Sequence, residues 1–159
     1  IHEGSFDKLV SFIDQAKKKT ITVTDKKMTR FNISLAESVN LVIWSLVNSI
    51  GGEIIIPKLK SYKILDLAKA ICNKCKIKFI GKRPGEKLNE EMIAADESSI
   101  KIDMGKFYIL IPQNQKKNFL KLIDKSKGKV LPNNFEYKSG QKNFLNQNEL
   151  KKIINTFRV

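Results

Sequence analysis

The chain has 159 residues, of which 42% are hydrophobic, and this is enough to bury the core of one domain. Its formal net charge of +14 rests on 27 lysines and only three arginines. The lysines are spread along the whole length, and arginine, which base-edge and phosphate recognition favours, is scarce. A solvated basic surface is therefore a simpler interpretation than a nucleic-acid-binding face.

The longest stretch without a charge, 38–52, has 15 residues. A membrane-spanning helix needs about 20. No signal peptide opens the chain. We therefore expect a cytoplasmic protein with no membrane partner.

The cysteine content also limits the possible sites. Cys72 and Cys75 form one C-x-x-C pair, and His2 is the single histidine. A zinc site takes about four ligands, so we expect no metal site. Two reduced cysteines near the end of a helix are the expected state.

The chain opens with an amphipathic pattern. Ser5 is placed to cap a helix, and the basic residues 17–19 would lie at its C-terminal end. The apolar side chains of this helix recur at i, i+3, i+4 and i+7: Phe6, Leu9, Val10 and Ile13.

Two predicted strands follow. Residues 20–24 alternate with β-branched side chains, 25–27 form a turn, and 28–33 form the second strand. Alternation along the second strand sorts its side chains onto two faces: Thr29, Phe31 and Ile33 on one, Met28, Arg30 and Asn32 on the other.

Ser34 and Glu37 have the spacing of a capping box, which predicts a helix that runs to about Asn48 and stops before the Gly51-Gly52 pair. Trp44 is expected to pack rather than to bind a ligand. The helix carries an apolar stripe that we expect to face the core: Leu35, Val39, Val42, Ile43, Leu46 and Val47.

Residues 53–57 form a short apolar run, typical of a parallel strand that is covered on both faces. A parallel strand needs neighbours of the same kind, and the chain offers few. The sequence therefore indicates one part of a larger unit.

Further elements are predicted up to residue 112. Residues 76–80, 100–102 and 107–111 are predicted strands, and Glu86 is expected to begin a helix that reaches about Ala95. Before them, Ser61 is placed to cap a helix with an apolar face: Ile64, Leu65, Leu67, Ala68 and Ile71.

The rest of the chain is polar and rich in lysine. Residues 113–146 are predicted loop, apart from a helical patch around Phe119, Leu120 and Ile123, and 147–157 form a final helix. We expect a mixed α/β fold in which 1–112 form a lobe and 113–159 add a loop and a C-terminal helix to that same lobe.

Arg83 is the most informative residue for function. In a chain where positive charge defaults to lysine, an arginine indicates a site that needs a planar fork of donors. It follows the predicted strand 76–80 and lies beside the Pro84-Gly85 turn, where open α/β sheets present binding loops. A surface pairing with Glu86 or Glu90 is the alternative.

Several motifs resemble one enzyme family. They are T-D-x-x-M-T-R-F over 24–31, G-E-I-I-I-P over 52–57, I-L-D-L-A over 64–68, R-P-G-E-K-L over 83–88 and F-E-Y-x-S over 135–139. In this order the chain resembles the C-terminal half of the nucleotide-sugar 4,6-dehydratases, which are extended short-chain dehydrogenases/reductases. The most similar members are the inverting UDP-N-acetylglucosamine 4,6-dehydratases and CapD-like proteins of capsule and other surface-polysaccharide biosynthesis.

The resemblance implies a substrate-binding lobe that closes over a UDP-sugar. An N-terminal Rossmann half, on the same or a separate chain, would bind NADP and supply the catalytic tyrosine and lysine. The family oxidises C4, removes water across C5 and C6, and returns hydride to C6. This sequence has no G-x-x-G-x-x-G and no Tyr-x-x-x-Lys, so we expect no cofactor and no catalytic residue in this chain alone. Further copies of the protein are expected partners.

The resemblance also assigns site residues. Arg30 and Arg83 would face the diphosphate or the uridine, with Glu86 beside them at the ribose. Met28 and Thr29 belong to the same motif as Arg30. Tyr137 and Ser139 would border the substrate, although a packed tyrosine and a strand arginine opposite a carboxylate are the ordinary alternatives for Tyr137 and Arg30.

Two positions depart from the family pattern. Glu3 stands where relatives carry an arginine in S-R-G-S, and Asn89 stands where they often carry histidine. A phosphate contact is thereby lost from the expected set. A non-catalytic module that binds nucleotide sugars or has a regulatory role is the main alternative, and a basic nucleic-acid-binding domain is the third.

Overall fold

A computed structural model describes residues 3–115, 119 and 128–156, with residues 3–7 described by their backbone. The helices are α1 (Glu3–Lys17), α2 (Leu35–Asn48), α3 (Ile64–Ile71) and α4 (Gln147–Asn155), with a 3₁₀ turn at Gln113–Gln115. The strands are β1 (Thr20–Val23), β2 (Thr29–Asn32), β3 (Ile54–Pro57), β4 (Lys60–Lys63), β5 (Lys76–Phe79), β6 (Glu91–Ile93), β7 (Ile100–Asp103), β8 (Phe107–Ile111), β9 (Lys129–Val130) and β10 (Tyr137–Lys138).

The fold is mixed α/β, and the chain divides into two compact units. The first unit comprises Ile1–Asn32, Lys60–Glu90 and Ser139–Val159. The second unit comprises Ile33–Leu59 and Glu91–Lys138.

The first unit packs helices against two short strand pairs. β1 and β5 are parallel, with Thr20 opposite Lys76, and β2 and β4 are antiparallel, with Thr29 opposite Lys63. α1, α3 and α4 turn their apolar faces towards one core. Its buried residues are Leu9, Phe12, Ile21, Val23, Met28, Tyr62, Ile64, Leu67, Ala68, Ile71, Cys75, Leu150 and Ile154.

The second unit is built on a four-stranded sheet in the order β3-β8-β7-β9, all antiparallel. β6 and β10 form a separate antiparallel pair. Apolar side chains pack in two clusters. One contains Ile102, Ile109, Ile111 and Phe119, and the other contains Ile56, Ile93 and Leu110.

The local signals are largely confirmed. The Ser34 hydroxyl accepts from the backbone N–H of Glu37, and the Glu37 carboxylate accepts from that of Ser34, so the capping box begins α2 as predicted. β1, β2, β5, β7, β8 and α4 also lie where expected, within one or two residues. Trp44 packs, with its ring centroid 4.6 Å from that of Phe107.

Three predicted helix features are wrong. Ser5 does not cap α1, because the helix already begins at Glu3. In the same helix the predicted core residue Val10 is exposed, and Phe12 is buried instead. Ser61 does not cap α3, because it lies inside β4 opposite Phe31. The helix expected from Glu86 to Ala95 is replaced by turns and β6, which pairs with β10 about 45 residues later.

The apolar run at 53–57 is a strand, but not a parallel one. β3 pairs antiparallel with β8, with Ile54 opposite Leu110, and it lies at an edge of its sheet. The stripe of α2 does not face a core either, since no residue of that helix is buried. Both patterns are typical of elements that are covered by others. Among the described residues, however, one edge of β3 has no strand partner and the apolar stripe of α2 is exposed.

The cysteines differ from expectation as well. The turn after α3 places the Cys72 and Cys75 Cα atoms 5.4 Å apart, and a disulfide joins the two side chains. In the predicted loop 113–146, the structure adds β9 and β10, and Phe119 is buried. Leu120, Ile123 and Phe157 lie outside the described residues.

No helix in the described ranges is long and apolar enough to span a bilayer.

Lys101 is a buried ammonium in the second unit. Its side chain is 1% exposed, and Nζ donates to the carbonyls of Ala94 (3.2 Å), Ala95 (3.3 Å) and Asn133. We predict that Lys101→Met lowers the free energy of unfolding by about 1–3 kcal/mol, because three main-chain carbonyls lose the donor that the buried Lys101 side chain provides. Urea unfolding measures this change.

The matched control is Lys106→Met at an exposed position, which should change the free energy of unfolding by less than about 0.5 kcal/mol. Equal effects of the two substitutions would contradict a structural role for the buried ammonium.

Candidate functional site

The candidate site lies in the first unit, where three distant segments meet through buried hydroxyls. The Thr29 and Ser139 hydroxyl oxygens are 2.8 Å apart, and Thr29 Oγ1 also donates to Asn89 Oδ1 at 2.9 Å. Backbone bonds reinforce the junction, since Ser139 N donates to Glu90 O and Glu90 N donates to Ser139 Oγ, both at 2.8 Å. The chain segments that carry Thr29, Asn89–Glu90 and Ser139 are therefore brought together.

Arg30 lies on β2 next to this junction and is held firmly. Its Nη1 donates to the carbonyls of Thr29 (2.6 Å) and Leu88 (3.2 Å), and its Nε is 3.7 Å from Glu90 Oε1. The Glu90 carboxylate also accepts the Phe31 N–H at 2.7 Å. The guanidinium is thus fixed by its own strand β2 and by the segment 88–90 before any ligand arrives.

Arg83 is exposed on its turn. The contact with Glu86 is made by its main chain, because Arg83 N donates to Glu86 Oε2 at 3.2 Å and Glu86 N donates to Arg83 O at 3.0 Å. No ion pair of the Arg83 guanidinium occurs among the described residues. Gly85 supports the turn with a φ of 79°.

Lys8 on α1 joins this group, and sequence reasoning missed it. Its Nζ lies 3.5 Å from Glu86 Oε1, 3.5 Å from Thr24 Oγ1 and 3.8 Å from Met28 Sδ. No motif marks Lys8; only its place on the helix turn after Gly4 could have indicated it.

The electrostatics of Lys8 and Glu86 are linked. Burial lowers the pKa of the Lys8 ammonium below its ordinary 10.5; the Glu86 carboxylate opposes this, and the charges of Arg30 and Arg83 add to it. For Glu86, burial acts to raise the pKa. The Arg83 N–H and the Lys8 ammonium outweigh it, so the pKa of Glu86 lies below its ordinary 4.5. Four charged residues therefore influence one another electrostatically: Lys8, Arg30, Arg83 and Glu86.

Three of the predicted site residues are buried. Met28 is 0%, Thr29 4% and Ser139 1% exposed. They position the loops around Arg30 and Glu90, and their contact with substrate stays a prediction.

Tyr137 lies in the second unit, on β10. Its hydroxyl accepts the Leu59 N–H at 2.6 Å and donates to the Leu59 carbonyl at 3.2 Å. Its ring packs against Tyr108, with centroids 5.1 Å apart. The structure does not bring it together with the other predicted site residues within one unit.

Among the described residues, no group of three or more His, Cys, Asp or Glu side chains could hold a metal ion.

Comparison of the chain with known protein families identifies its family. The model of a family described as "Polysaccharide biosynthesis protein" matches residues 4–112. The chain belongs to this family. The expectation drawn from its motifs is therefore confirmed at the level of the family.

Individual relatives are enzymes of nucleotide-sugar metabolism. The inverting UDP-N-acetylglucosamine 4,6-dehydratase of Campylobacter jejuni is 36% identical over 94% of the chain and 45% of its own length. A UDP-glucose 4-epimerase of Rickettsia canadensis is 34% identical over 91% of the chain and 44% of its own length. The X-ray structure of Pen from Bacillus thuringiensis superposes with a TM-score of 0.72 and 27% identity, covering 94% of this chain and 44% of that one.

The chain therefore spans less than half the length of these relatives.

Gly140 tests the junction. It has a φ of 88°, and a Cβ there would lie 2.8 Å from Thr29 Oγ1. We predict that Gly140→Ala destabilises the protein by strain and by displacement of Thr29. Gly81→Ala is the control, since Gly81 has a similar φ of 79° with nothing within 4 Å of a Cβ.

Chemical unfolding should show a loss of about 1–2 kcal/mol for Gly81→Ala and at least about 1 kcal/mol more for Gly140→Ala. Equal losses would mean that the close approach to Thr29 does not matter.

Proposed function

We propose that this family member is the sugar-nucleotide-binding portion of a UDP-N-acetylglucosamine-type 4,6-dehydratase in surface polysaccharide or glycan biosynthesis. It corresponds to the C-terminal substrate-binding lobe, and an N-terminal Rossmann half supplies the chemistry. The observation that carries the proposal is the group of Lys8, Arg30 and Arg83 around Glu86, in a chain that belongs to a polysaccharide biosynthesis family.

The cations suit a nucleotide diphosphate. Arg30 is fixed by contacts to Nη1 and Nε, and among the described residues no contact uses Nη2. Arg83 is exposed, and no ion pair of its guanidinium occurs among the described residues. Hydrogen bonds to charged groups of this kind contribute about 1.5–3 kcal/mol each. Arg30 therefore acts as a fixed donor and Arg83 as one that closes on the ligand.

Glu86 suits the ribose. The Arg83 N–H orients its carboxylate, and its lowered pKa keeps it ionised and able to accept ribose hydroxyls. Its negative charge also offsets part of the repulsion among the three cations.

NADP does not fit this chain. Its eight glycines form no G-x-x-G-x-x-G, and none of its three tyrosines precedes a lysine by four residues. The parallel pair β1–β5 offers no glycine-rich turn after β1, where Thr24, Asp25 and two lysines follow. Oxidation and dehydration are assigned to the other half of the enzyme, and the expected cytoplasmic location and homo-oligomer stay predictions.

An epimerase is the second candidate, because UDP-glucose 4-epimerases of Rickettsia are 32–34% identical to the chain. Both enzymes act on UDP-sugars, so the diphosphate site proposed here serves either.

The first test is UDP-N-acetylglucosamine binding, followed by calorimetry or thermal shift. Arg83→Lys keeps the charge and removes the fork, and we predict an affinity loss of about tenfold. The neighbouring Lys82→Ala removes a whole charge and should change affinity less than about threefold, because surface charges act weakly. Equal losses of affinity in Arg83→Lys and Lys82→Ala would indicate that the ligand is attracted by net charge alone. Absence of UDP-N-acetylglucosamine binding to the unsubstituted chain would contradict the proposal.

The second test uses pH. Lys8 attracts the diphosphate only while protonated, so affinity should fall as pH rises through its lowered pKa, beginning below 10.5. Binding of UDP-N-acetylglucosamine, whose diphosphate keeps its charge in this range, is measured from neutral pH to about 10.

Lys8→Met should bind more weakly at neutral pH and lose this alkaline decline. A decline of the same size in Lys8→Met would assign the titration to another group.

A further inference from the structure

The outer side of α2 is an apolar face that no described residue of the second unit covers. The residues of this face recur at i, i+4, i+7, i+8, i+11 and i+12, the spacing of a helix side that meets a core. They are all exposed, and Leu35, Leu46 and Val47 are between 76% and 79% exposed. We call this set the α2 stripe: Leu35, Val39, Val42, Ile43, Leu46 and Val47.

The helix meets its own unit with its more polar side. Its half-buried residues are Ser38, Leu41 and Ser45, and the Ser45 hydroxyl donates to the Leu41 carbonyl at 2.7 Å. Two serines thus lie inward while six aliphatic residues lie outward. This is the reverse of the usual amphipathic arrangement.

The apolar surface continues beyond the helix. Ile50 and Ile54 are 49% and 58% exposed. β3, which begins at Ile54, pairs with β8 along one edge, and its other edge has no strand partner in the described chain. An open edge beside a large apolar patch marks an interaction surface.

The composition of the face argues against a membrane. α2 carries one charge, Glu37, and no lysine or arginine, in a chain with a net charge of +14. Interfacial helices usually place basic residues on their polar side, where they meet anionic lipid.

The length of the relatives indicates the occupant. The matches include 94% of this chain, but only 45% of the Campylobacter dehydratase and 44% of the Bacillus structure. More than half of each relative is protein that this chain does not match.

We propose that the α2 stripe and the open edge of β3 are the surface on which the nucleotide-binding half of the dehydratase packs. This inference rests on the proposed function, in which the chain is one part of such an enzyme. The stripe then becomes part of a core shared by both halves, and β3 gains the strand neighbour that its apolar sequence suits.

The test is thiol labelling in a fusion protein. The part of the Campylobacter dehydratase that this chain does not match is joined to the N-terminus of the chain, and Leu46→Cys is introduced on the stripe. Cys72 and Cys75 are joined in a disulfide and do not compete for maleimide. Mass spectrometry of the modified peptide gives the rate at residue 46. Asn48→Cys, exposed and about 200° around the same helix from Leu46, is the matched control.

In the fusion, Leu46→Cys should react at least about tenfold more slowly than Asn48→Cys, while in the unfused chain the two should react at similar rates. Similar rates in the fusion overturn the proposal. Concentration-dependent protection in the unfused chain, unchanged by fusion, assigns the stripe to a second copy instead. Protection by phosphatidylglycerol-containing vesicles, without protection in the fusion, assigns it to a membrane.

This result is independent of ligand binding. The fusion with Arg83→Ala should protect residue 46 equally, because Arg83 lies outside the α2 stripe. Protection of residue 46 without UDP-sugar binding would retain the docking surface and refute the diphosphate site. UDP-sugar binding without protection of residue 46 would retain the diphosphate site and refute the docking surface.

Discussion

The first unit depends on one buried hydrogen bond, between the hydroxyls of Thr29 and Ser139, which lie 110 residues apart in the chain. Each hydroxyl is out of water, so each needs a partner, and the cost of an unpaired buried polar group makes the junction cooperative. Gly140 allows the close approach because it has no Cβ to meet Thr29. The segments that carry Arg30, Glu90 and Ser139 are thereby fixed relative to each other.

The candidate site combines this fixed part with an exposed one. Arg30 is held by main-chain carbonyls and Glu90, so in the proposed complex little side-chain freedom is lost when it meets a phosphate. In the same proposal Arg83, on its exposed turn, adapts to the ligand. Lys8 and Glu86 lie 3.5 Å apart and moderate each other's charge, so the group is cationic without strong self-repulsion. A diphosphate, with two negative groups close together, complements such an arrangement.

The capping box of α2 and most strand patterns in the sequence were reliable, whereas the predicted caps at Ser5 and Ser61 and the long-range pairings were not. The capping box of Ser34 works within four residues, so the start of α2 could be predicted. Ser61 resembles a helix cap, but its position is decided by pairing with Phe31. The residues after Glu86 form a strand because β10 offers a partner across the chain. Lys8 carries no motif, since only the fold brings α1 near Glu86. Arg83, in contrast, could be selected as a candidate from the sequence because arginine is rare in this composition.

The central claim is that Lys8, Arg30, Arg83 and Glu86 hold the diphosphate and ribose of a UDP-sugar. Backbone amide chemical shifts, followed by NMR during titration with UDP-N-acetylglucosamine, test it most directly. The account predicts saturable changes concentrated around residue 8, on β2 and over the turn 83–86, with smaller changes on α2. Changes spread over exposed lysines without saturation, or concentrated on α2, would contradict it.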